Sequence, residues 1–565
     1  MGDDGDGRPD VARTDGPASR SETATSRAAQ LTDHLASSNP NGPNTGRRRR
    51  KPKPDDLPAD YSDILGQLKQ LRTFAANPDP TKTGYVRHRE AGKLWVRDRI
   101  EQLLDKGSFR EIGSVTGKVT WKQTGPLTEE PLDFQPSNNV NGFGKLRGRR
   151  ICFSADDFTI RAGHADGALF AKTVYMEQLA LKMKIPIVKL VDGSSGGGSV
   201  TTIVTNGYAY IAPLQGAHEI VAQLNAGIPN LGAALGTAIG LGAARLVACH
   251  FSVMAGDVGS LFNAGPSVVA NATFEEGLSF SELGGPAVHC TNGTIDNLAA
   301  NEAGCFEQLR DVLSYLPNCG TQMPPCIPED DPRERMYDVR KLVTTVVDKG
   351  SFFEIGALWG RCAIVGLARL GGKAIGVIAN NAEVLTGALD AQGSQKITRH
   401  LKFCDIFNLP ILQFVDVPGY AIGTVAERTA TMRWGVELWK TYYTTTIPLF
   451  NVVVRKAYGV AGGVMVECRD PHTRVAWPSG EWGSLPLEGG IEVGHSAELR
   501  KVEKEGGLEA QKVRYKELET TYRRLMNPVR TANAFSVEEI IDPADTRSLV
   551  QVVVEKQALT KKGYG

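Results

Sequence analysis

Residues 105–113 read DKGSFREIG, and residues 348–356 read DKGSFFEIG. The second copy follows the first at an offset of 243 residues. Further along, the segments IPI at 185–187 and VD at 191–192 recur as LPI at 409–411 and VD at 415–416, and Leu146 recurs as Leu370, all at an offset of 224. Two constant offsets indicate that one domain was duplicated in tandem.

The two offsets also locate an insertion in the first copy. They differ by 19 residues, so the first copy has that many extra residues between Gly113 and Leu146. The segment from Gly117 to Asn141 is polar and rich in turn-forming residues. We therefore expect the insertion there.

Each copy has the pattern of a βαβ unit. Helices are predicted at Asp98–Leu104 and Ala171–Met183, and apolar strands at Ile187–Val191 and Ile411–Val415. Mostly apolar strands are typical of a parallel sheet that is covered on both faces. The sequence thus predicts an α/β fold made twice, with a disordered tail at residues 1–55, one domain at 56–325 and a second at 326–565.

Composition excludes several classes of protein. A chain of 565 residues exceeds the size of one hydrophobic core. Its net charge is only +1, so no global field would recruit nucleic acid or a membrane. The nine cysteines form no CxxC pair, which argues against a zinc ribbon and a disulfide framework. The apolar stretch Leu231–Ala244 is shorter than the roughly 18 residues of a membrane span, and buried glycine-rich packing is the better interpretation.

The tail to about Asp55 contains few large apolar residues and has neither a transit-peptide nor a signal-peptide pattern. We expect a cytoplasmic protein, with the mitochondrial matrix as the alternative. The basic run Arg47–Lys51 is either a nuclear address or polyanion-binding patch, or an ordinary solvated run of charge.

Glycine-rich turns are the best candidates for chemistry. Residues 192–199 read DGSSGGGS after the first predicted strand, and residues 416–420 read DVPGY after the second. A second pair of turns lies at 236–242 and 458–465. Exposed backbone N–H groups at such turns suit an oxyanion, although structural packing is the plainer alternative. Gly193–Gly197 also matches G-x-S-x-G, which would make Ser195 the nucleophile of a serine hydrolase.

Five segments, in this order, resemble the carboxyltransferase (β) subunits of biotin-dependent acyl-CoA carboxylases, of the propionyl-CoA carboxylase type. They are 93–109, 282–285 (ELGG), 403–410, 415–419 (VDVPG) and 455–459 (RKAYG). The resemblance implies a tandem pair of crotonase-like domains, usually assembled as a homo-hexamer (a dimer of trimers), with each site between the N-half of one chain and the C-half of another. It also implies carboxybiotin supplied by a separate biotin carboxylase and carrier, an acyl-CoA substrate, and no metal in this subunit.

By the same resemblance, Gly196 and Gly197 hold the thioester oxygen and Val460 and Ala461 hold the biotin oxygen. Substrate binding is expected at Gly240, Gly459, Gly462 and Gly463. The chain departs from the family pattern RKAYGGAYD, because Val460 replaces the second glycine, Gly462 the second tyrosine and Gly463 the acid. A positive φ would be costly for Val460, and the lost ring and carboxylate predict a larger acyl pocket.

Three further points remain open from the sequence. An acyl-CoA decarboxylase, or a biotin-independent relative, has the same pattern, and so does a non-catalytic assembly subunit. Residues 180–183 read ALKM, which is similar to the AMKM of a biotin carrier, but they end a predicted helix. We therefore expect Lys182 to carry no biotin.

Overall fold

We analysed a computed structural model of the protein. The described residues are 61–126, 128–164, 170–195, 200–209, 211, 214, 216–325, 339–466 and 473–560. The predicted tail at 1–55 and the run Arg47–Lys51 lie outside them, and the proposed domain boundary at 325/326 adjoins residues 326–338, which also lie outside. The described residues from Ile64 onward form one compact unit.

The helices, numbered along the chain, are α1 (Ser62–Ala76), α2 (Thr83–Glu90), α3 (Val96–Leu103), α4 (Phe170–Met183), α5 (Val200–Asn206), α6 (Ala217–Asn225), α7 (Leu241–Val247), α8 (Pro266–Thr273), α9 (Phe280–Gly284), α10 (Pro286–His289), α11 (Glu302–Tyr315), α12 (Val339–Val346), α13 (Ala391–Ile406), α14 (Thr424–Arg428), α15 (Thr431–Thr444), α16 (Gly459–Met465), α17 (Leu487–Gly494), α18 (Ser496–Leu525), α19 (Pro528–Asn533) and α20 (Thr546–Thr560).

The strands are β1 (Arg110–Ile112), β2 (Gly117–Gln123), β3 (Glu129–Pro136), β4 (Asn139–Leu146), β5 (Arg149–Asp156), β6 (Ile187–Gly193), β7 (Asn230–Ile239), β8 (Phe251–Ala255), β9 (Ser260–Phe262), β10 (Asn297–Ala299), β11 (Phe353–Ile355), β12 (Ala363–Leu370), β13 (Lys373–Asn380), β14 (Ile411–Val417), β15 (Leu449–Tyr458), β16 (Thr473–Ala476), β17 (Glu481–Gly483) and β18 (Glu539–Ile540).

Two eight-stranded sheets confirm the predicted duplication. The first has the order β1-β4-β5-β6-β7-β8-β10 with β9 paired to β7, and the second has the order β11-β12-β13-β14-β15-β16-β18 with β17 paired to β15. In both, the first three strands pair antiparallel and the later pairs are parallel. The register also breaks at the same place in each, between Val191 and Gly193 and between Val415 and Val417.

The insertion is a hairpin. β2 and β3 form a separate antiparallel pair, which lies within the predicted segment. The predicted end at Asn141 is wrong, because β4 of the main sheet already begins at Asn139. Asn139 and Asn141 are typical of loops, so the sequence pattern placed the start of β4 in the insertion. Both are buried and bonded, since the Asn139 amide donates to Ser154 Oγ (3.1 Å) and that of Asn141 donates to the Lys172 carbonyl (2.6 Å).

The other predicted elements are confirmed with small differences in their ends. β6 and β14 are buried along their whole length and run two residues further than predicted, to Gly193 and Val417. Leu231–Ala244 forms most of β7 and the start of α7, and its side chains are largely buried. In the described part of the chain, no helix is both long and apolar enough to cross a membrane.

Candidate functional site

A buried aspartate ends the central strand β6. Asp192 has no exposed surface and lies 2.9 Å from the guanidinium of Arg99 and 3.4 Å from the ammonium of Lys93. It also accepts the N–H of Thr237 from β7 (3.2 Å). Burial alone would raise the pKa of Asp192, but Arg99 and Lys93 outweigh it and hold the pKa below its usual value. The aspartate thus ties the end of β6 to β7 as a charged group.

The second half repeats this arrangement at the end of β14. Asp416 accepts the N–H of Lys456 from β15 (3.1 Å) and pairs with Arg455 through two contacts of 3.1 and 3.0 Å. The arginine comes from β15 itself, whereas in the first half it comes from α3. In β7 the place of Arg455 is taken by Gly236, and a Cβ there would lie 2.1 Å from Asp192 Oδ1, so no side chain fits at that position. Equivalent strand ends are therefore fixed by equivalent aspartates.

The turn that follows β6 is only partly described. Gly196 and Gly197, the predicted thioester donors, lie outside the described residues. Before them, Gly193 has φ 119° and Ser195 has φ 50°, so the chain enters this turn through a left-handed serine. Such a conformation is uncommon for a residue other than glycine, and it marks the turn as strained.

The two serines of the turn have different partners. The hydroxyl of Ser195 donates to the carboxylate of Asp156. Ser194 Oγ lies 3.0 Å from the Gly163 carbonyl and 3.1 Å from Nδ1 of His164. Ser195 is buried and bonded to a carboxylate, whereas a hydrolase nucleophile is bonded to an imidazole. The G-x-S-x-G interpretation requires a histidine beside Ser195, but the serine in contact with a histidine is Ser194.

Sequence reasoning missed a strained turn beside each strand end. Residues 161–163 have φ values of 53°, 49° and 73°, and residues 385–387 have 51°, 55° and 88°. Each turn packs closely against its strand end. A Cβ at Gly163 would lie 3.2 Å from Gly193 Cα, and one at Gly387 would lie 2.4 Å from the Asp416 carbonyl oxygen. Gly163 and Gly387 obey the offset of 224, which was the available signal.

The second turn of each half begins a short helix. Gly240 precedes α7 with φ 55°, and Gly459 begins α16 with φ 62°. The first N–H groups of a helix have no acceptor within it, so those of Val460 and Ala461 are available at the start of α16. A positive φ at Val460 would have been costly. The positive φ of this turn is instead that of Gly459, and Val460 has ordinary helical backbone. That expectation is corrected, because the glycine before the valine makes the turn.

Gly240 is exposed and Gly459 is partly exposed, and neither position is crowded. The nearest atom to a Cβ added at Gly240 lies 4.0 Å away, and at Gly459 it lies 3.5 Å away. A Cβ at Gly463 would have no atom of the described residues within 4 Å, whereas one at Gly462 would lie 2.5 Å from the carbonyl carbon of Ala457. Gly462 is therefore required by the packing of α16 on β15. Gly463 faces free space.

Other side chains offer little covalent or metal chemistry. The described cysteines are free and buried, and burial raises the pKa of Cys152 to about 12 and that of Cys249 to about 11. Thiolates are therefore scarce near neutral pH. Among the residues that the structure describes, no three His, Cys, Asp or Glu side chains form a metal-binding group. Lys182 lies in the last turn of α4.

Comparison with known proteins agrees with this architecture. Residues 87–563 match the family model described as the carboxyl transferase domain. The chain is 31% identical to the propionyl-CoA carboxylase carboxyltransferase subunit of Haloferax mediterranei, over 86% of this chain and 94% of that protein. It is 29% identical to the methylmalonyl-CoA decarboxylase subunit alpha of Veillonella parvula, over 81% of this chain and 89% of that one.

Among solved structures, the transcarboxylase 12S hexamer core with methylmalonyl-coenzyme A and methylmalonic acid bound superposes with a TM-score of 0.73. Sequence identity is 25%, and the superposition covers 89% of this chain and 97% of that one. The duplicated sheets, the paired strand-end turns and these matches lead to one conclusion. The chain belongs to the carboxyl transferase domain family.

Proposed function

We propose that this chain is the carboxyltransferase subunit of an acyl-CoA carboxylase. It transfers a carboxyl group, which carboxybiotin supplies when its carrier is bound, to the α-carbon of an acyl-CoA. The observation that carries the proposal is the repeated pair of backbone turns at the ends of β6 and β7 and of β14 and β15. Two such sites match a reaction in which two different oxygens gain negative charge.

The first oxygen is that of the thioester. Removal of the α-proton places enolate charge on it, and preorganised N–H donors stabilise that charge. We assign this role to Gly196 and Gly197, as expected from the sequence. Support comes from the residues just before Gly196, because Asp192 and Ser195 are hydrogen-bonded there and the left-handed turn at 161–163 packs on Gly193.

The second oxygen is the ureido oxygen of biotin. We assign it to the N–H groups of Val460 and Ala461 at the start of α16. The fit is good, because the positive end of the helix, two backbone donors and the exposed position of Val460 coincide there. Gly240 occupies the equivalent place at the start of α7, and we assign it to substrate binding.

The acyl group is proposed to be larger or more branched than propionyl. The argument rests on Gly463, where no atom of the described chain lies within 4 Å of the position of a Cβ. A residue without a side chain leaves that volume to the substrate. Gly462 adds no such volume, because a Cβ there would lie 2.5 Å from the carbonyl carbon of Ala457 in β15.

We propose further that the chain works as a homo-hexamer, a dimer of trimers, with a biotin carrier and a biotin carboxylase on separate chains. Exposed apolar side chains on α15 and just before it support a contact with another copy. They are Ile422, Val425, Met432, Trp439 and Tyr443. Exposed patches of this kind mark interaction surfaces in soluble proteins.

Carboxyl exchange tests the proposal. The purified chain is incubated with malonyl-CoA, methylmalonyl-CoA and longer branched analogues, with or without free biotin, and formation of acyl-CoA is followed. Biotin-dependent formation supports a carboxyltransferase. Formation without biotin would instead identify a decarboxylase, an activity named for the Veillonella relative. Binding of the CoA ester without turnover would indicate a non-catalytic assembly subunit.

A further inference from the structure

We propose that Asp156 and Ser195 form a positioning pair that fixes the turn carrying the thioester donors. The inference rests on the proposed function, because it assigns the donors to Gly196 and Gly197. Ser195 is the last described residue before Gly196 and is 3% exposed. Its side chain acts through the backbone that follows and touches no reacting atom, so it is a positioning residue.

Asp156 holds both ends of the described part of the turn, at Asp192 and at Ser195. The same carboxylate oxygen accepts the hydroxyl of Ser195 and the backbone N–H of Asp192 (3.3 Å). Its other oxygen accepts the Asn139 amide (3.1 Å), so the carboxylate itself cannot rotate freely. The three residues from Gly193 to Ser195 are thus spanned by one buried group. A left-handed backbone at Ser195 persists because this bond opposes its relaxation.

The helix α7 closes the remaining side. A Cβ added at Gly242 would lie 2.3 Å from the Gly193 carbonyl oxygen and 3.1 Å from Ser195 Oγ. The helix backbone therefore packs directly on the turn and on the serine hydroxyl. Loss of the hydrogen bond would leave Ser195 held by packing on α7 alone, although Gly193 and Ser194 would keep their contacts with residues 163 and 164.

The second half of the chain serves as an internal comparison. At the offset of 224, Asn380 stands in place of Asp156, and its Oδ1 accepts the Asp416 N–H (3.0 Å) just as Asp156 accepts the Asp192 N–H. Gly419 stands in place of Ser195, with φ 137° and no atom within 4 Å of an added Cβ. The strand-end acceptor is common to both halves, whereas the carboxylate–hydroxyl pair occurs only in the half assigned to the thioester. General stabilisation of such turns does not require the pair.

The test is a double-mutant cycle in the biotin-dependent exchange reaction, with Ser195→Ala, Asp156→Asn and the double variant. Misplaced donors weaken transition-state stabilisation more than substrate binding, so kcat should fall about tenfold to a hundredfold while KM for the CoA ester changes little. Because the two residues act as a unit, the double variant should be no slower than the slower single variant.

The matched control is Ser252→Ala on β8. Ser252 is equally buried, and its hydroxyl also donates to a buried carboxylate, that of Asp296 (2.9 Å). Ser252→Ala should lower Tm about as much as Ser195→Ala does. It should leave kcat unchanged. Equal effects on kcat from the two serine variants, or additive losses in the cycle, would overturn the positioning role.

A binding measurement separates failure of the pair from failure of the proposed function. Calorimetry compares Kd for an acyl-CoA and for the S-alkyl-CoA thioether that lacks the carbonyl oxygen. The wild-type chain should bind the thioester more tightly than the thioether. This preference should be smaller in Ser195→Ala and unchanged in Ser252→Ala. If Ser195→Ala keeps the full wild-type preference, the positioning role of Asp156 and Ser195 is rejected and the proposed function stands. If the wild-type chain shows neither exchange activity nor this preference, both proposals are rejected.

Discussion

Single residues at the start of α16 determine which groups face the proposed biotin site. Gly459 has the positive φ of the turn, and this leaves Val460 with helical backbone and a free N–H. A valine in place of a family glycine is therefore compatible with a backbone donor. Side-chain identity matters little there as long as the residue before it is glycine.

The first prediction removes one N–H and keeps the helix. Proline is tolerated in the first turn of a helix, and Val460 is 62% exposed, so Val460→Pro has room for its ring. Loss of one oxyanion donor typically costs about 10²–10³ in kcat. We expect a fall of that size in biotin-dependent exchange with Tm nearly constant. Val460→Ala keeps the N–H and should lose far less, whereas similar losses in the two variants would contradict the backbone role.

The second prediction concerns acyl selectivity. Gly463→Asp places a carboxylate in the open volume beside α16, and this should exclude long or branched acyl chains. A difference of one methylene in an apolar pocket is worth about 10–200-fold. The ratio of kcat/KM for propionyl-CoA to that for a branched acyl-CoA should therefore rise at least about tenfold. Gly463→Ala controls for the added carbon, and an unchanged ratio across chain lengths would reject the assignment.

Some residues could be predicted from the sequence and others could not. Repeated spacing sufficed to find the aspartates 192 and 416, because duplication copies residues that shape each turn, and the glycine-rich stretches 236–242 and 458–465 indicated the glycines 240 and 459. The bond from Ser195 to Asp156 joins residues 39 positions apart, and only the folded sheet brings them together. Left-handed turns at 161–163 and 385–387 were also missed, since two of the three residues in each are not glycine.

At the scale of elements, the contact of α16 with β15 depends on glycine. A Cβ at Gly462 would meet backbone atoms of Ala457 at 2.5 and 2.8 Å, and backbone cannot yield as a side chain can. The next residue, Gly463, lies on the same helix, and a Cβ there would contact none of the residues that the structure describes. Two adjacent glycines therefore have different reasons to lack a side chain.

This contrast gives the third prediction. Gly462→Ala should lower the free energy of unfolding by about 1–3 kcal/mol through overpacking. Gly463→Ala should be neutral or stabilising by up to about 1 kcal/mol, because alanine is the better helix former. Urea unfolding of both variants measures the difference. Shifts of the same sign and size would show that α16 is not held against β15 as described.

The ends of three strands, β4, β6 and β14, were predicted wrongly from the sequence. Both central strands were found, yet each runs two residues beyond its predicted end, because Asp192 and Asp416 look like turn residues. They remain in the strand because β7 and β15 supply N–H donors to their carboxylates. The same effect hid the start of β4, where buried asparagines find partners in β5 and α4. Polar residues with tertiary partners are misread as loops.

At the scale of the whole molecule, the two halves share one core within the compact unit Ile64–Gly565. Arg399 of α13 pairs with Asp296 of the first half (3.0 Å), and Gly227 and Gly320 let the chain approach the Ile406 carbonyl closely. His250 lies in the same contact, with its ring centroid 4.7 Å from that of Phe407. Such continuity predicts that both halves unfold together.

The fourth prediction follows from the burial of His250 in this contact. Its Nδ1 accepts the Asn230 N–H (3.2 Å) and its Nε2 lies 3.3 Å from the Leu224 carbonyl, so both contacts are satisfied by the neutral ring with the proton on Nε2. Burial, opposed only in part by the bond to Leu224, lowers the pKa of His250 to about 4. An unfolded histidine has a pKa of about 6.5. Between these values the unfolded chain binds the extra proton, so the free energy of unfolding must fall as the pH drops.

The loss due to His250 should reach roughly 3 kcal/mol near pH 4 and be absent above about pH 7. Denaturant unfolding across that range measures it. His250→Gln cannot titrate, so it should be less stable at neutral pH and should lose less stability on acidification than the wild type. The remaining acid sensitivity includes His400, whose pKa burial lowers to about 3. His218→Gln is the control, because that ring is exposed. An acid slope for His250→Gln equal to that of the wild type would show that the contact between the halves does not depend on a neutral imidazole.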